Sequence, residues 1–201
     1  MRAWLLCTLL ALATVFAGGC ASSARRPLCL ATLPPGTATP LEGARGTLVV
    51  LIFLSPECPI ANAMMPDILA LSDEAKARGV SLSLVHTTQW PSDRELTEHA
   101  RAFNAQGRVT ILVDRPQELA RRVGATVTPE GALLRLDGEG GFERLYLGRI
   151  NDLYTAIGRR RAAATSSDLR DAMRAASEGR PRPMPQPKAI GCFIEFSAPS
   201  S

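Results

Sequence analysis

Cys58 is the residue best placed to do covalent chemistry. It follows Thr47–Leu54 (TLVVLIFL), a continuous apolar run that reads as a strand buried on both faces, and precedes Pro59, a residue suited to the first position of a helix. A thiol at a helix start meets unpaired backbone N–H groups and the positive end of the helix dipole, so its thiolate is favoured as a nucleophile toward a disulfide or a peroxide. The polar approach Ser55-Pro56-Glu57 suggests exposure, while the Glu57 carboxylate would raise the thiol pKa. The competing reading is a buried, inert cysteine. Four further cysteines stand at 7, 20, 29 and 192, and the chain has two histidines, His86 and His99, which read as core or surface residues. Trp90 is either a substrate platform or loop packing, and Arg159-Arg160-Arg161 reads as a solvated face.

Cys58 needs a scaffold, and the flanking pattern supplies one. Ile60, Met64, Ile68 and Leu71 recur at helical spacing up to Gly79. Val80–Thr88 alternates as a strand, and Ser92 with Glu95 forms a capping box ahead of a helix. VTILVD (109–114) is a further buried strand, and PQELARRVG reads as a short helix opened by Pro116 and closed by Gly124. GALLRLD and FERLYLGRI flank the turn GEGG as a hairpin, and SSDLRDAMRAASEG is a last amphipathic helix. A Pro-rich arm then leads to AIGCFIEF, which contains Cys192. This alternation predicts an α/β fold with a mixed central sheet and helices on both faces, parallel at its crossovers and antiparallel in the hairpin.

The ends of the chain carry a different signal. Among its 201 residues, 46% are hydrophobic and 21% charged, values that exclude wholesale disorder. The net charge of +4 is scattered, so no nucleic-acid footprint is expected. Residues 1–20 have the positive start and apolar run of a secretory signal peptide. Their end, Ala17-Gly18-Gly19-Cys20, resembles a bacterial lipobox, which implies lipid attachment at Cys20, with ordinary cleavage near Ala21 or Ala24 as the alternative. Both outcomes place the mature protein outside the cytoplasm, on the periplasmic side of the cell envelope, where disulfides persist. Residues 21–42, rich in Pro, Thr, Ala and Gly, read as a flexible tether, residues 43–157 as the domain, and residues 158–201 as a C-terminal helix, Pro-rich arm and terminal apolar segment.

The run of buried strand, Cys58-Pro59 and a helix containing Pro66 resembles the active-site segment of thioredoxin-fold proteins, and Thr128-Pro129 resembles their cis-proline loop. CPIAN, TPE, GRINDLY and AIGCFI resemble recurring pieces of bacterial extracytoplasmic redoxins, relatives of the alkyl hydroperoxide reductase and thiol-specific antioxidant group. This likeness implies a thiol-based redoxin whose Thr128 and Pro129 shape a substrate groove opposite Cys58. It implies no cofactor and no metal. Its partners would be an extracytoplasmic thiol or disulfide protein, or a peroxide, with the membrane reached through the lipid anchor. Ala61 stands where a second active-site cysteine would be, so local dithiol chemistry is excluded. Ser55 fits the hydroxyl position of a thiol peroxidase, whereas Leu51 replaces its upstream proline and Arg149 is only a weak candidate for its arginine. Cys192 is then either the resolving thiol, folded back onto Cys58, or a small buried residue in an added edge strand. The missing second cysteine also leaves open a non-catalytic binding or assembly module that kept this fold.

Overall fold

A computed structural model describes residues 27–180 and 185–197. The signal-peptide and Cys20 expectations therefore lie outside the described residues. The central strand is β3 (Leu48–Leu54), whose side chains alternate between two cores. Val50, Ile52 and Leu54 face one cluster, and Val49, Leu51 and Phe53 face the other. A strand buried on both faces needs this unbroken apolar run. The helix α1 (Pro59–Ala77) follows β3, and Gly79 ends it with a φ of 69°. Next come β4 (Ser81–His86), α2 (Asp93–Ala102) and β5 (Thr110–Val113). The expected capping box is present: Ser92 accepts from Glu95 N–H, and Glu95 accepts from Ser92 N–H.

Both β4 and β5 run parallel to β3, joined through α1 and α2. The hairpin of β7 (Glu130–Leu136) and β8 (Phe142–Gly148) adds antiparallel strands on the other side of β3. Two short strands, β9 (Tyr154–Ala156) and β10 (Arg159–Arg160), pair antiparallel ahead of α4 (Asp168–Ser177), and α1, α2 and α4 bury their apolar stripes in the first cluster. α3 (Glu118–Val123) covers the second through Leu119, Ala120 and Val123. The expected mixed sheet with helices on both faces is observed. α3 begins later than expected: Pro116 lies ahead of it, and Asp114 caps it by accepting from the N–H groups of Glu118 and Ala120, each at 2.9 Å. An Asp carboxylate serves this end because the first-turn amides have no partners inside the helix.

The larger correction concerns the tether. Residues 30–38 form a hairpin, β1 (Leu30–Leu33) and β2 (Gly36–Ala38), and β1 pairs antiparallel with β5. The sheet order is thus β2-β1-β5-β4-β3-β7-β8. Leu28, Leu30, Leu33 and Leu41 are buried. The edge of β5 would otherwise present a row of unpaired amides, and the hairpin closes it. If the segment were a tether, Leu33→Ala would be neutral. Because Leu33 belongs to the main core, this substitution should cost about 2–4 kcal/mol in urea unfolding.

Candidate thiol site

The site is assembled where β3 hands the chain to α1. Cys58 is the N-cap of α1, with Pro59 in its first turn, as the local sequence requires. Its thiol donates to the Thr128 carbonyl at 2.9 Å. Thr128 ends β6 (Val127–Thr128), and the Thr128–Pro129 bond is cis, so the expected loop faces the expected cysteine. Glu130 fixes that loop from behind by accepting from Thr126 N–H at 2.7 Å. Burial pushes the Glu130 carboxyl up, and the N–H groups of Thr126 and Val127 only partly offset this.

The C-terminal segment completes the site. β11 (Cys192–Phe193) pairs antiparallel with β6, placing Cys192 opposite Thr128 and Phe193 opposite Val127. Ile194 N–H extends the ladder to the Thr126 carbonyl at 2.9 Å. Cys192 is thereby brought to the cavity that Cys58 lines, near enough for the two thiols to shift each other's protonation. The reading of Cys192 as a small buried residue is corrected: it does lie in an added edge strand, but it is exposed and sits at the Cys58 site, because β6 supplies the edge on which its strand pairs. Cys58, by contrast, is wholly buried. The exposure expected of Cys58 is therefore corrected: the polar approach Ser55-Pro56-Glu57 is only local, and a distant strand covers the thiol.

The two thiols are pushed in opposite directions. Burial pushes Cys58 up, but the Cys192 thiol, the N–H groups of Ala61 and Cys192 and the Thr128 hydroxyl together outweigh it, and the net shift is downward. Ala61 is the third residue of α1, whose amide has no partner within the helix, so this bond is the helix terminus acting on sulfur. Although the residue is exposed, the partial desolvation of its sulfur and then the neighbouring Cys58 sulfur push Cys192 up to about 11. Of the two thiols, Cys58 is therefore the one that gives up its proton first. Glu57 is exposed and its carboxylate is occupied by the Ser55 hydroxyl, so the anticipated opposition does not prevail.

A cavity of about 670 Å³ opens beside the pair, lined among others by Trp90, Gln117 and Phe196. Trp90 is 87% exposed, which favours the platform reading over loop packing. Gln117 escaped sequence reading. Its backbone is left-handed at φ 58°, and its buried side chain bonds the Thr87 and Glu195 carbonyls at 3.0 and 2.7 Å. Arg149 is not at the thiol: its guanidinium is held by Asp168 at 2.7 Å and by Ser166 at 3.2 Å. Ser55 lines the cavity but its hydroxyl is turned to Glu57, so the peroxidase-like elements do not converge on Cys58. His86 is core, 1% exposed, with its pKa lowered to about 3 by burial. Exposed Cys29 is not among the residues lining the cavity. Among the described residues no cluster could hold a metal ion, and no helix is long and apolar enough to cross a membrane.

The thiol shifts set a pH dependence. Cys58 should alkylate with iodoacetamide in a profile centred below that of a free thiol, about 8.5. Cys192→Ala, which removes one of the bonds holding the charge, should move that profile upward, as followed by peptide mass spectrometry. An unmoved profile would mean that Cys192 does not support the Cys58 thiolate.

No protein-family model matches the chain, and no curated protein does either. Among solved structures, an uncharacterized conserved protein from Geobacillus kaustophilus overlays with a TM-score of 0.71 at 23% identity, covering 88% of this chain and 91% of that one. A hypothetical protein from Sinorhizobium meliloti 1021 gives a TM-score of 0.71 at 21% identity, covering 86% and 92%. A secreted Mycobacterium tuberculosis disulfide oxidoreductase overlays at 0.49 with 17% identity, covering 76% and 96%. With its mixed sheet, its thiol at the start of α1 and its facing cis-proline loop, the chain has a thioredoxin-like fold.

Proposed function

We propose that the protein is an extracytoplasmic thiol-based redoxin that reduces disulfides through Cys58, with Cys192 as the resolving thiol. The observation that carries this reading is the pairing of β11 with β6, which sets Cys192 opposite Thr128, the residue whose carbonyl accepts from the Cys58 thiol, with both cysteines on one cavity. The Cys58 thiolate attacks one sulfur of a substrate disulfide, forming a mixed disulfide, and the other substrate sulfur leaves as a thiolate and takes up a proton. Once Cys58 is disulfide-bonded it carries no charge. The part of the Cys192 shift that comes from the neighbouring sulfur is then relieved, and Cys192 loses its proton more readily. The Cys192 thiolate attacks the Cys58 sulfur, the second substrate thiolate leaves, and a Cys58–Cys192 disulfide remains. The substrate gains two electrons, the protein loses two, and an external dithiol of the same compartment returns them. Thr128 and Pro129 form the groove wall beside the reacting sulfur, and no cofactor takes part in these steps. The disposition of Arg149 and Ser55 favours a disulfide over a peroxide as oxidant. Location outside the cytoplasm, through a signal peptide and a lipid at Cys20, belongs to the same proposal and rests on residues 1–20.

Reaction with a small aromatic disulfide tests the scheme in a Cys29→Ser background of the mature protein. Without Cys29, and with Cys20 lipidated, one disulfide should be consumed per chain. Two aryl thiolates should be released, leaving a Cys58–Cys192 peptide pair. Cys192→Ser should stop at the mixed disulfide after one release, and Cys58→Ser should slow the first release at least tenfold. If both cysteines end separately labelled, the resolving role fails. If neither reacts, the fold serves binding alone.

A further inference from the structure

The segment 186–197 does more than deliver a thiol. It crosses the mouth of the site in extended form, with Pro187 O accepting from Arg149 N–H at 2.9 Å at one end. At the other end Ser197 N–H donates to Gln117 Oε1 at 3.0 Å. Between them, Gly191 lies against Thr128–Pro129. A Cβ on Gly191 would stand 1.9 Å from the Thr128 oxygen and 2.6 Å from its carbonyl carbon, both rigid backbone atoms. A strand can pair at this depth only if the residue before its cysteine has no side chain. The outward side is thinly held, since Phe193 is 81% exposed and, of residues 192–197, Ile194 alone is a buried hydrophobic. Residues 192–194 are thus held by backbone pairing to an edge, the way an added peptide strand is recognised, and beyond them Gln117 and Arg121 grip residues 195–197. While it stays there, Cys58 has no exposed surface.

We propose that this tail is a tethered surrogate of the substrate strand. It occupies the place where an extended segment of a partner polypeptide, bearing Gly-Cys followed by an apolar residue, pairs with Thr126–Thr128. Cys58 opens to a polypeptide only when the tail leaves. This deepens the redoxin reading for the same site. Its test removes both reactive sulfurs, so the failure of one is distinguishable from the failure of the other.

The test uses the chain with Cys58→Ser and Cys192→Ser, with and without Gly191→Val. The probe is a fluorescent peptide of residues 188–197 carrying serine in place of Cys192, and binding is read by fluorescence anisotropy. Gly191→Val should expel the tail, seen as faster tryptic cleavage after Lys188, and should bind the peptide at least tenfold more tightly than the parent. A peptide with valine in place of Gly191 should bind neither chain. Gln117→Gly, which tolerates the left-handed backbone, combined with Arg121→Ala removes the side-chain holds on residues 195–197 and should give the same ordering by an independent route. Equal affinity of parent and opened chains, at any level, would overturn the proposal. So would a tail that Gly191→Val leaves as protected as before.

Discussion

The pairing of Cys192–Phe193 with Val127–Thr128 is the interaction on which the site depends. Two residues of ladder fix which sulfur is covered, which is exposed, and how close the two approach. Without that strand, Cys58 would remain the start of α1 beside a cis-proline loop, but it would lose the Cys192 thiol and amide that help to hold its charge. Burial alone raises a thiol pKa, so a covered nucleophile is useful only where hydrogen bonds reverse that effect. Here the covering strand supplies part of the reversal, together with an unpartnered amide of the helix terminus.

The rest of the fold serves to keep that edge available. β3 and α1 place Cys58 at the end of a strand buried on both faces, where the chain must turn. Glu130 anchors the Thr126 N–H, and the Thr126 carbonyl accepts from Ile194 N–H. Gln117 and the backbone of Arg149 hold the ends of the tail, although they lie far apart in sequence. The same tail that brings Cys192 to Cys58 shields Cys58 from the outside, so reactivity and access are set by one element.

Much of this was legible in the sequence, for stated physical reasons. The buried run 48–54, the helical spacing after Cys58 and the Ser92 capping box each carry their own periodicity or hydrogen-bonding logic, and Thr128-Pro129 stood in the expected context. The hairpin 30–38 reads as a tether in the sequence because short strands rich in Thr, Pro and Gly lack a clear period, and its burial depends on the distant edge of β5. The cover over Cys58 and the roles of Gln117 and Gly191 were not legible. Each is defined by a backbone it meets across the fold: the Thr87 and Glu195 carbonyls for Gln117, and the Thr128 oxygen for Gly191. A glycine's meaning of this kind lies in its neighbour, not in its flanking residues.

The central claim is that Cys58 and Cys192 act as one two-electron couple. The most direct measurement equilibrates the mature protein in a series of glutathione redox buffers, traps free thiols by rapid alkylation and quantifies every cysteine peptide by mass spectrometry. The account predicts that the Cys58–Cys192 pair appears and disappears in a single transition with two-electron steepness, the two peptides changing together. Independent transitions, with each cysteine joined separately to glutathione, would contradict it.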